Sequence, residues 1–409
     1  MIRRNIAEAI KTALSDTPVV LLNGARQTGK STLVQSLIGD SGANYLTFDD
    51  STVTAAAAAD PQGFLDRFSG PIILDEIQRV PQLFNAIKLS VDRNRIPGRF
   101  MLTGSANVLL LPNLSQSLAG RMEILTLWPF SQGEIAGRRE SFLDQLFDKQ
   151  AVFTNVVCDR QDLSKKMCTG GYPEVVQRQD PQRQQAWFGS YITTILQRDV
   201  RDISHIESLT AMPRLLSLLA TRAASLLNFA EISRSSGLTQ TTTKRYMALL
   251  QMLFLIHLLP AWSGNPSKRL VKSPKLNLCD SGLLCFLTGL DAAHLDNESQ
   301  RYGAILENFV VGELLKQSTW CKTRMGLFHY RSQTGQEIDI ILENSSGKIA
   351  AVEIKSAASV TAKDFIPMRQ LAQDVGDRFV RGVVLYVGKQ TVPFADNLTA
   401  LPVSAIWAE

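Results

Sequence analysis

Five short apolar runs punctuate the first third of the chain: PVVLLN at 18–23, NYLTFDD at 44–50, PIILDE at 71–76, RFMLTGS at 99–105 and MEILTLW at 122–128. None alternates as a half-exposed strand would, and helical spacing separates them, which predicts a parallel sheet covered on both faces. Ahead of them Ile2, Ile6, Ile10 and Leu14 recur at helical spacing with charges between, marking an amphipathic helix and not a signal peptide's apolar core. The alanine tract at 55–59 predicts another helix. From 141 to 227 the period is helical, with a turn at Gly170-Gly171-Tyr172-Pro173. NFAEISRSSGLTQTTTKRYMALLQML, from Asn228, then reads as helix, glycine turn, second helix: Phe229, Ile232 and Leu238 face inward and Thr239 is an N-cap. A mixed α/β pattern runs from Pro274 onward. The expected divisions are 1–140, 141–227, 228–273 and 274–409.

Composition narrows the class. A chain of 409 residues exceeds one compact core, and 45% hydrophobic with 20% charged residues is an ordinary globular balance. The most apolar run, YMALLQMLFLIHLLPAW, is broken by Gln251, His257 and Pro260 and is too short to span a bilayer, so no membrane partner and a cytoplasmic location are expected. Five cysteines without CxxC spacing predict reduced, structural thiols. The net charge of +5 is concentrated: between 181 and 280 there are twelve Lys and Arg against five Asp and Glu. That basic block predicts an anionic partner.

The first strand runs straight into NGARQTGKST, where Gly24, Gly29, Lys30 and Ser31 fit G-x-x-x-x-G-K-[ST]. Backbone N–H groups of such a loop wrap nucleotide phosphates, and the helix beginning near its second glycine directs its dipole at the same anion. The residues expected to hold ATP are therefore Gly24, Ala25, Arg26, Gln27, Thr28, Gly29, Lys30, Ser31 and Thr32, with Lys30 on the β- and γ-phosphates and Ser31 on Mg²⁺. In IILDEIQ, Asp75 ends a buried strand where a carboxylate needs a cation, which assigns it to Mg²⁺, and Glu76 is placed to polarise the attacking water. Thr103 or Ser105, closing the next strand, is the expected contact to the γ-phosphate or that water. Arg121 in SLAGR is positioned to reach a neighbouring subunit's γ-phosphate, which implies a homo-oligomer; a pairing with Glu123 or Glu134 is the alternative.

GARQTGKST, LDEIQRVP, LTGSAN and SLAGR followed by LWPFSQGE, then GGYPEVV and QRDV, together resemble the bacterial and archaeal AAA-type ATPases that carry a C-terminal DUF4143 domain. The resemblance covers nearly the whole chain. It implies a P-loop core of the ASCE type, a helical lid at 141–227 and a nuclease-like tail.

Two further modules carry expectations. After the helix–turn–helix, IHLLPAW, the turn SGNPSK and RLVKSPKLNLC resemble a wing bearing Lys268, Arg269, Lys272 and Lys275, while Thr241, Thr242, Lys244 and Arg245 sit where a recognition helix meets DNA. Tyr172, Trp187, Tyr191 and Trp262 read as packing. In the tail, GQEIDIILENSSGKIAAVEIKSA predicts a hairpin whose loop Ser345-Ser346-Gly347 sets Asn344 against Lys348 and Asp339 against Glu353, with Lys355 on the same face as Glu353. Asp339, thirteen residues and then E-x-K resembles the PD-(D/E)xK nuclease fold, with Ile338 where a proline would stand; that resemblance implies Glu307 as an additional acid on the metal. The expectation is a Mg²⁺-dependent ATPase acting on DNA, with Asp339, Glu353 and Lys355 catalytic and Asp339, Glu353 and Glu307 on metal. The alternative is an ATP-controlled regulatory or assembly module with an inactive nuclease fold and a protein or nucleic-acid partner.

Overall fold

The computed structural model describes residues 2–38, 42–105, 118–154, 156–199, 211–270, 272–332 and 334–408. Two compact units divide the chain: one holds Arg3–Pro129 with Gln251–Phe254, the other Met1–Ile2, Phe130–Leu250 and Leu255–Glu409.

In the first unit all five apolar runs form strands: β1 (Val19–Asn23), β2 (Asn44–Thr47), β3 (Ile72–Asp75), β4 (Phe100–Gly104) and β5 (Met122–Thr126). They pair in parallel in the order β2-β3-β4-β1-β5. The register sets Leu22 beside Thr103 and Thr47 beside Asp75, so the carboxyl ends of β1, β3 and β4 open on one edge. Helix α1 (Ala7–Asp16) precedes β1, and α2 (Lys30–Ile38) follows it through the glycine loop. One face is packed by α3 (Leu83–Arg93), whose Leu83, Phe84, Ile87 and Val91 join Val19, Leu21, Ile72 and Leu74 in one core.

The second unit begins earlier than the expected boundary at 140. Phe130 N donates to Gly171 O at 2.7 Å and Gln132 N to Glu313 Oε2 at 2.8 Å, while Lys316 donates to Phe130 O at 3.0 Å. These bonds satisfy the backbone after Pro129, so the segment FSQGE belongs to the second unit. Tyr172 is fully buried there against Trp187 and Tyr191, the packing role expected of all three.

The middle module is wider than 228–273. Helix α4 (Ala211–Ala220) packs on α5 (Phe229–Ser236), which Gly237 ends in a left-handed conformation; α6 (Gln240–Met252) follows, with Thr239 Oγ1 accepting from Thr242 N at 3.1 Å. Strands β6 (Ser225–Leu226), β7 (Ile256–Leu259) and β8 (Lys275–Leu278) form an antiparallel sheet in the order β6-β8-β7. The long helix α7 (Ser299–Gln317) leads to β9 (Met325–Arg331), β10 (Glu337–Asn344), β11 (Ile349–Lys355), β12 (Phe379–Tyr386), β13 (Val392–Ala395) and β14 (Leu398–Pro402). These make a six-stranded sheet ordered β13-β14-β12-β11-β10-β9, with β12 parallel to β11 and β14. The outer edge of β9 does not end in solvent: His329 N donates to Pro260 O at 2.9 Å and Trp262 N to His329 O at 2.6 Å. The stretch after β7 therefore continues this sheet by one bridge. Among the described residues no helix is long and apolar enough to cross a membrane.

Candidate functional site

The glycine loop forms because its backbone is forced close to β5. Leu127 N donates to Asn23 O at 2.8 Å, and a Cβ on Gly24 would lie 2.2 Å from Leu127 O; its φ of +149 also favours glycine. Gly29 has φ +88 with no heavy atom within 4 Å of an added Cβ, so glycine is needed there for conformation alone. Thr28 is buried and closes the loop onto Ala25 O at 3.0 Å, whereas Gln27 and Thr32 are exposed and Arg26 is half-buried. Arg4, which sequence reasoning missed, buttresses the loop: it donates to Thr28 O at 3.2 Å and to Trp128 O at 2.5 Å.

Lys30 is buried, and its ammonium reaches Gly24 O at 3.0 Å and Ala25 O at 2.8 Å. Burial drives its pKa down to about 8, with Glu76 and Asp75 opposing that fall. Ser31 Oγ lies 3.0 and 2.9 Å from the two Asp75 oxygens, and Tyr45 OH donates to Asp75 at 2.7 Å. Burial first, and then its bond to Asp75, push the Tyr45 phenol up to about 12. Thr103 Oγ1 donates to Asp75 and accepts from Glu76 N at 3.0 Å. That hydroxyl is committed to the Asp75 carboxylate and the Glu76 backbone, and Ser105 is instead joined to Gln78 at 2.9 Å. Glu76 itself has φ +59, a left-handed backbone uncommon outside glycine.

Arg121 stands at the start of the edge strand β5. Its Nε is 2.5 Å from Asp92 Oδ1 and its Nη1 donates to Ala119 O at 3.0 Å, so its ionic partner is neither Glu123 nor Glu134. Ala106, Asn107, Ser117 and Val200, parts of the quoted motifs, lie outside the described residues.

The C-terminal hairpin has the register its loop length implied. Ile340 faces Val352, Glu343 faces Ile349 and Asn344 N donates to Lys348 O at 3.1 Å, so Asp339 comes opposite Glu353. Asp339 N lies 3.4 Å from Glu353 Oε2, Ile354 N donates to Asp339 Oδ2 at 3.0 Å, and Lys355 donates to Glu353 Oε1 at 2.8 Å. Glu307, on α7, joins them through a residue assigned elsewhere: Lys275 Nζ is 2.6 Å from Glu307 Oε1 and 3.0 Å from Asp339 Oδ1. Lys275 is therefore no wing residue facing DNA; it is buried at the start of β8. Burial opposes its charge, but Asp339 and Glu307 outweigh that and raise its pKa. Burial and the neighbouring Asp339 hold both Glu307 and Glu353 above the usual carboxylate range. Arg269 also leaves the wing, gripping Glu343 at 2.5 and 3.1 Å. Lys268 and Lys272 remain exposed.

An uncharacterized protein of Mycobacterium tuberculosis and one of Mycobacterium bovis are each 33% identical to this chain over 405 residues, 99% of its length and 84% of theirs. An AAA domain matches residues 16–136 and the domain of unknown function DUF4143 matches 302–406. The chain belongs to the AAA-type ATPases with a C-terminal DUF4143 domain. Between them, 160–294 match a second domain of unknown function, DUF8612. Among solved structures, the Walker-type ATPase of Pyrococcus abyssi is 14% identical, covering 70% of this chain and 96% of its own, with a TM-score of 0.46. The RuvB Holliday junction branch migration motor of Thermotoga maritima is 17% identical, covering 66% and 94%, with a TM-score of 0.30.

In this ATPase the sheet-edge residues fit a magnesium ion, because the Ser31 hydroxyl and the Asp75 carboxylate are hard oxygen donors already brought together. The DUF4143 acids do not fit one. The space between Glu307 and Asp339 is taken by an ammonium, and among the described residues no three His, Cys, Asp or Glu side chains are grouped to hold a metal.

Proposed function

We propose that the chain is a Mg²⁺-dependent, DNA-engaging ATPase of the cytoplasm. The observation that carries the reading is the network of Ser31, Asp75, Thr103 and Glu76 at one sheet edge beside the glycine loop. Loop N–H groups and Lys30 hold the phosphates; Lys30 exchanges the Gly24 and Ala25 carbonyls for phosphate oxygens. Ser31 and Asp75 would hold Mg²⁺, which would supply neutralisation of phosphate charge. Glu76 orients and accepts a proton from the attacking water, and Arg121, released from Asp92, serves a neighbouring protomer in a homo-oligomer.

DNA engagement rests on α6. Gln240, Thr241, Lys244, Arg245 and Ala248 are exposed along one side of it, and the module has a three-stranded antiparallel sheet behind its helices, as a winged helix does. The test is ATP hydrolysis with and without duplex and single-stranded DNA, read alongside the integrity of that DNA. Stimulation by DNA supports the reading; DNA-independent turnover with no detectable DNA binding overturns its second half. A second reading, an ATP-controlled assembly module that cleaves nothing and answers to a protein partner, is favoured by one observation: Lys275 neutralises the DUF4143 acids.

A further inference from the structure

The DUF4143 cluster collects three acids, Glu307, Asp339 and Glu353, and two lysines, Lys275 and Lys355, from four elements. Its two cations play different parts. Lys355 is the third residue of the E-x-K pattern; its ion pair among the described residues is with Glu353, and it is a third exposed. Lys275 comes from another sheet, is 6% exposed, and lies between carboxylates that are each 14% exposed.

We propose that Lys275 stands where the nuclease-like pattern would hold a divalent cation, so that the DUF4143 cluster is a metal-independent ionic clasp closed by the middle module. Three features support it. The ammonium contacts one oxygen from each of the two carboxylates, the bridging position of a shared cation. The second Asp339 oxygen accepts from Ile354 N, and the Glu353 oxygens accept from Lys355 Nζ and Asp339 N, so these acids are satisfied by protein donors. A magnesium ion at about 2.1 Å from the same oxygens would sit against the ammonium, and two cations at that separation repel strongly in a site so poorly solvated. The ammonium must leave before a metal enters.

The clasp also has a mechanical sense. Lys275 begins β8, which pairs with β6 and β7 of the middle module, whereas Glu307 lies on α7 and Asp339 on β10. One side chain therefore ties the helix–turn–helix module to the helix and hairpin of the DUF4143 domain.

The test uses the full chain in an Asp75→Asn background, which removes the nucleotide-site carboxylate, without nucleotide, and reads Mn²⁺ binding by paramagnetic resonance together with melting temperature. Wild-type Lys275 should bind no Mn²⁺ that depends on Asp339 at millimolar metal, and its Tm should not rise with Mn²⁺. Lys275→Met should lower Tm and gain one Mn²⁺ that restores it, and adding Asp339→Asn should abolish both gains. Should Lys275→Met not fold alone, refolding only with Mn²⁺ supports the proposal, and failure with and without Mn²⁺ overturns it. An Asp339-dependent Mn²⁺ already bound with Lys275 present overturns it too, as does a folded Lys275→Met that gains none. These readouts do not depend on ATP turnover, so the ATPase reading stands or falls separately.

Discussion

The side-chain amide of Gln78 donates to the carboxylate of Glu76 and, at 2.9 Å, to Ser105 Oγ. Gln78 thus positions the acid assigned to the attacking water, tying it to the end of β4. Gln78→Ala should lower kcat about tenfold with little change in KM, and Gln78→Asn should not restore it because the shorter arm loses one partner. Steady-state kinetics with a melting curve checks this; a parallel loss of stability would point to a merely structural amide.

Glu76→Gln should retain ATP binding and lose hydrolysis by about 100-fold or more, since the amide keeps the shape without the basicity. Lys30→Ala should lose binding itself. A fluorescent nucleotide titration beside phosphate release separates the two, and near-normal turnover in Glu76→Gln would sink the assignment.

Arg121→Ala should cut turnover by roughly 10³-fold with nucleotide affinity unchanged, because a residue acting from a neighbouring protomer matters in the transition state. Its present partner offers a control: Asp92→Asn frees the guanidinium without removing it. Mixed oligomers of Arg121→Ala and Glu76→Gln should regain activity, and absence of recovery in verified mixtures would make Arg121 structural.

Much of the ATPase unit was legible because its strands are buried on both faces and announce themselves as unbroken apolar runs. The hairpin register was legible as well: period-two alternation and a three-residue loop leave one pairing, and Asp339 met Glu353 accordingly. What could not be read was long-range ionic pairing. A lysine in a basic segment looks solvated, and nothing local to Lys275 says that α7 and β10 will enclose it. The same holds for Arg269, whose carboxylate partner Glu343 belongs to β10, and for Arg121, matched by Asp92 on α3. The boundary after Pro129 was hidden for a similar reason, since Glu313 and Lys316 on α7 satisfy the PFSQGE backbone.

Acid should destabilise the chain partly through His329. Burial pushes this imidazole down to about 4, its bond to Ser273 O opposing and Lys275, Lys272 and Arg331 adding to the fall. Its folded pKa lies below the ordinary 6.5, so the unfolded chain takes up the proton first as pH drops. The contribution is complete above about pH 6.5 and is lost on the way down through 4, up to about 3 kcal/mol. His257 is pushed down to about 4 by burial and titrates in the same window, so the quantity to measure is the difference between wild type and His329→Gln in denaturant midpoints from pH 7 to 4. A difference that does not change with pH would contradict this.

Removing two exposed cations from α6, as Lys244→Ala with Arg245→Ala, should weaken DNA binding uniformly across sequences and reduce the slope of log affinity against log salt by about 2. An unchanged slope would place the DNA contact elsewhere.

The bridge between His329 and the Pro260–Trp262 stretch, together with Lys275, bears on how this protein could have been assembled over evolution. A gene segment begun at Pro274 would encode a sheet whose outer strand has lost its covering backbone at His329, an exposed edge of the kind that invites aggregation. One begun past Lys275 would leave Glu307 and Asp339 buried without their ammonium, at a cost of about 3–5 kcal/mol. The reciprocal fragment would end inside β8, the strand between β6 and β7, and so lose the middle of its own sheet along with the partners of its ammonium. Recombination between the middle module and DUF4143 is thus penalised from both sides, and the two should be inherited as a single block.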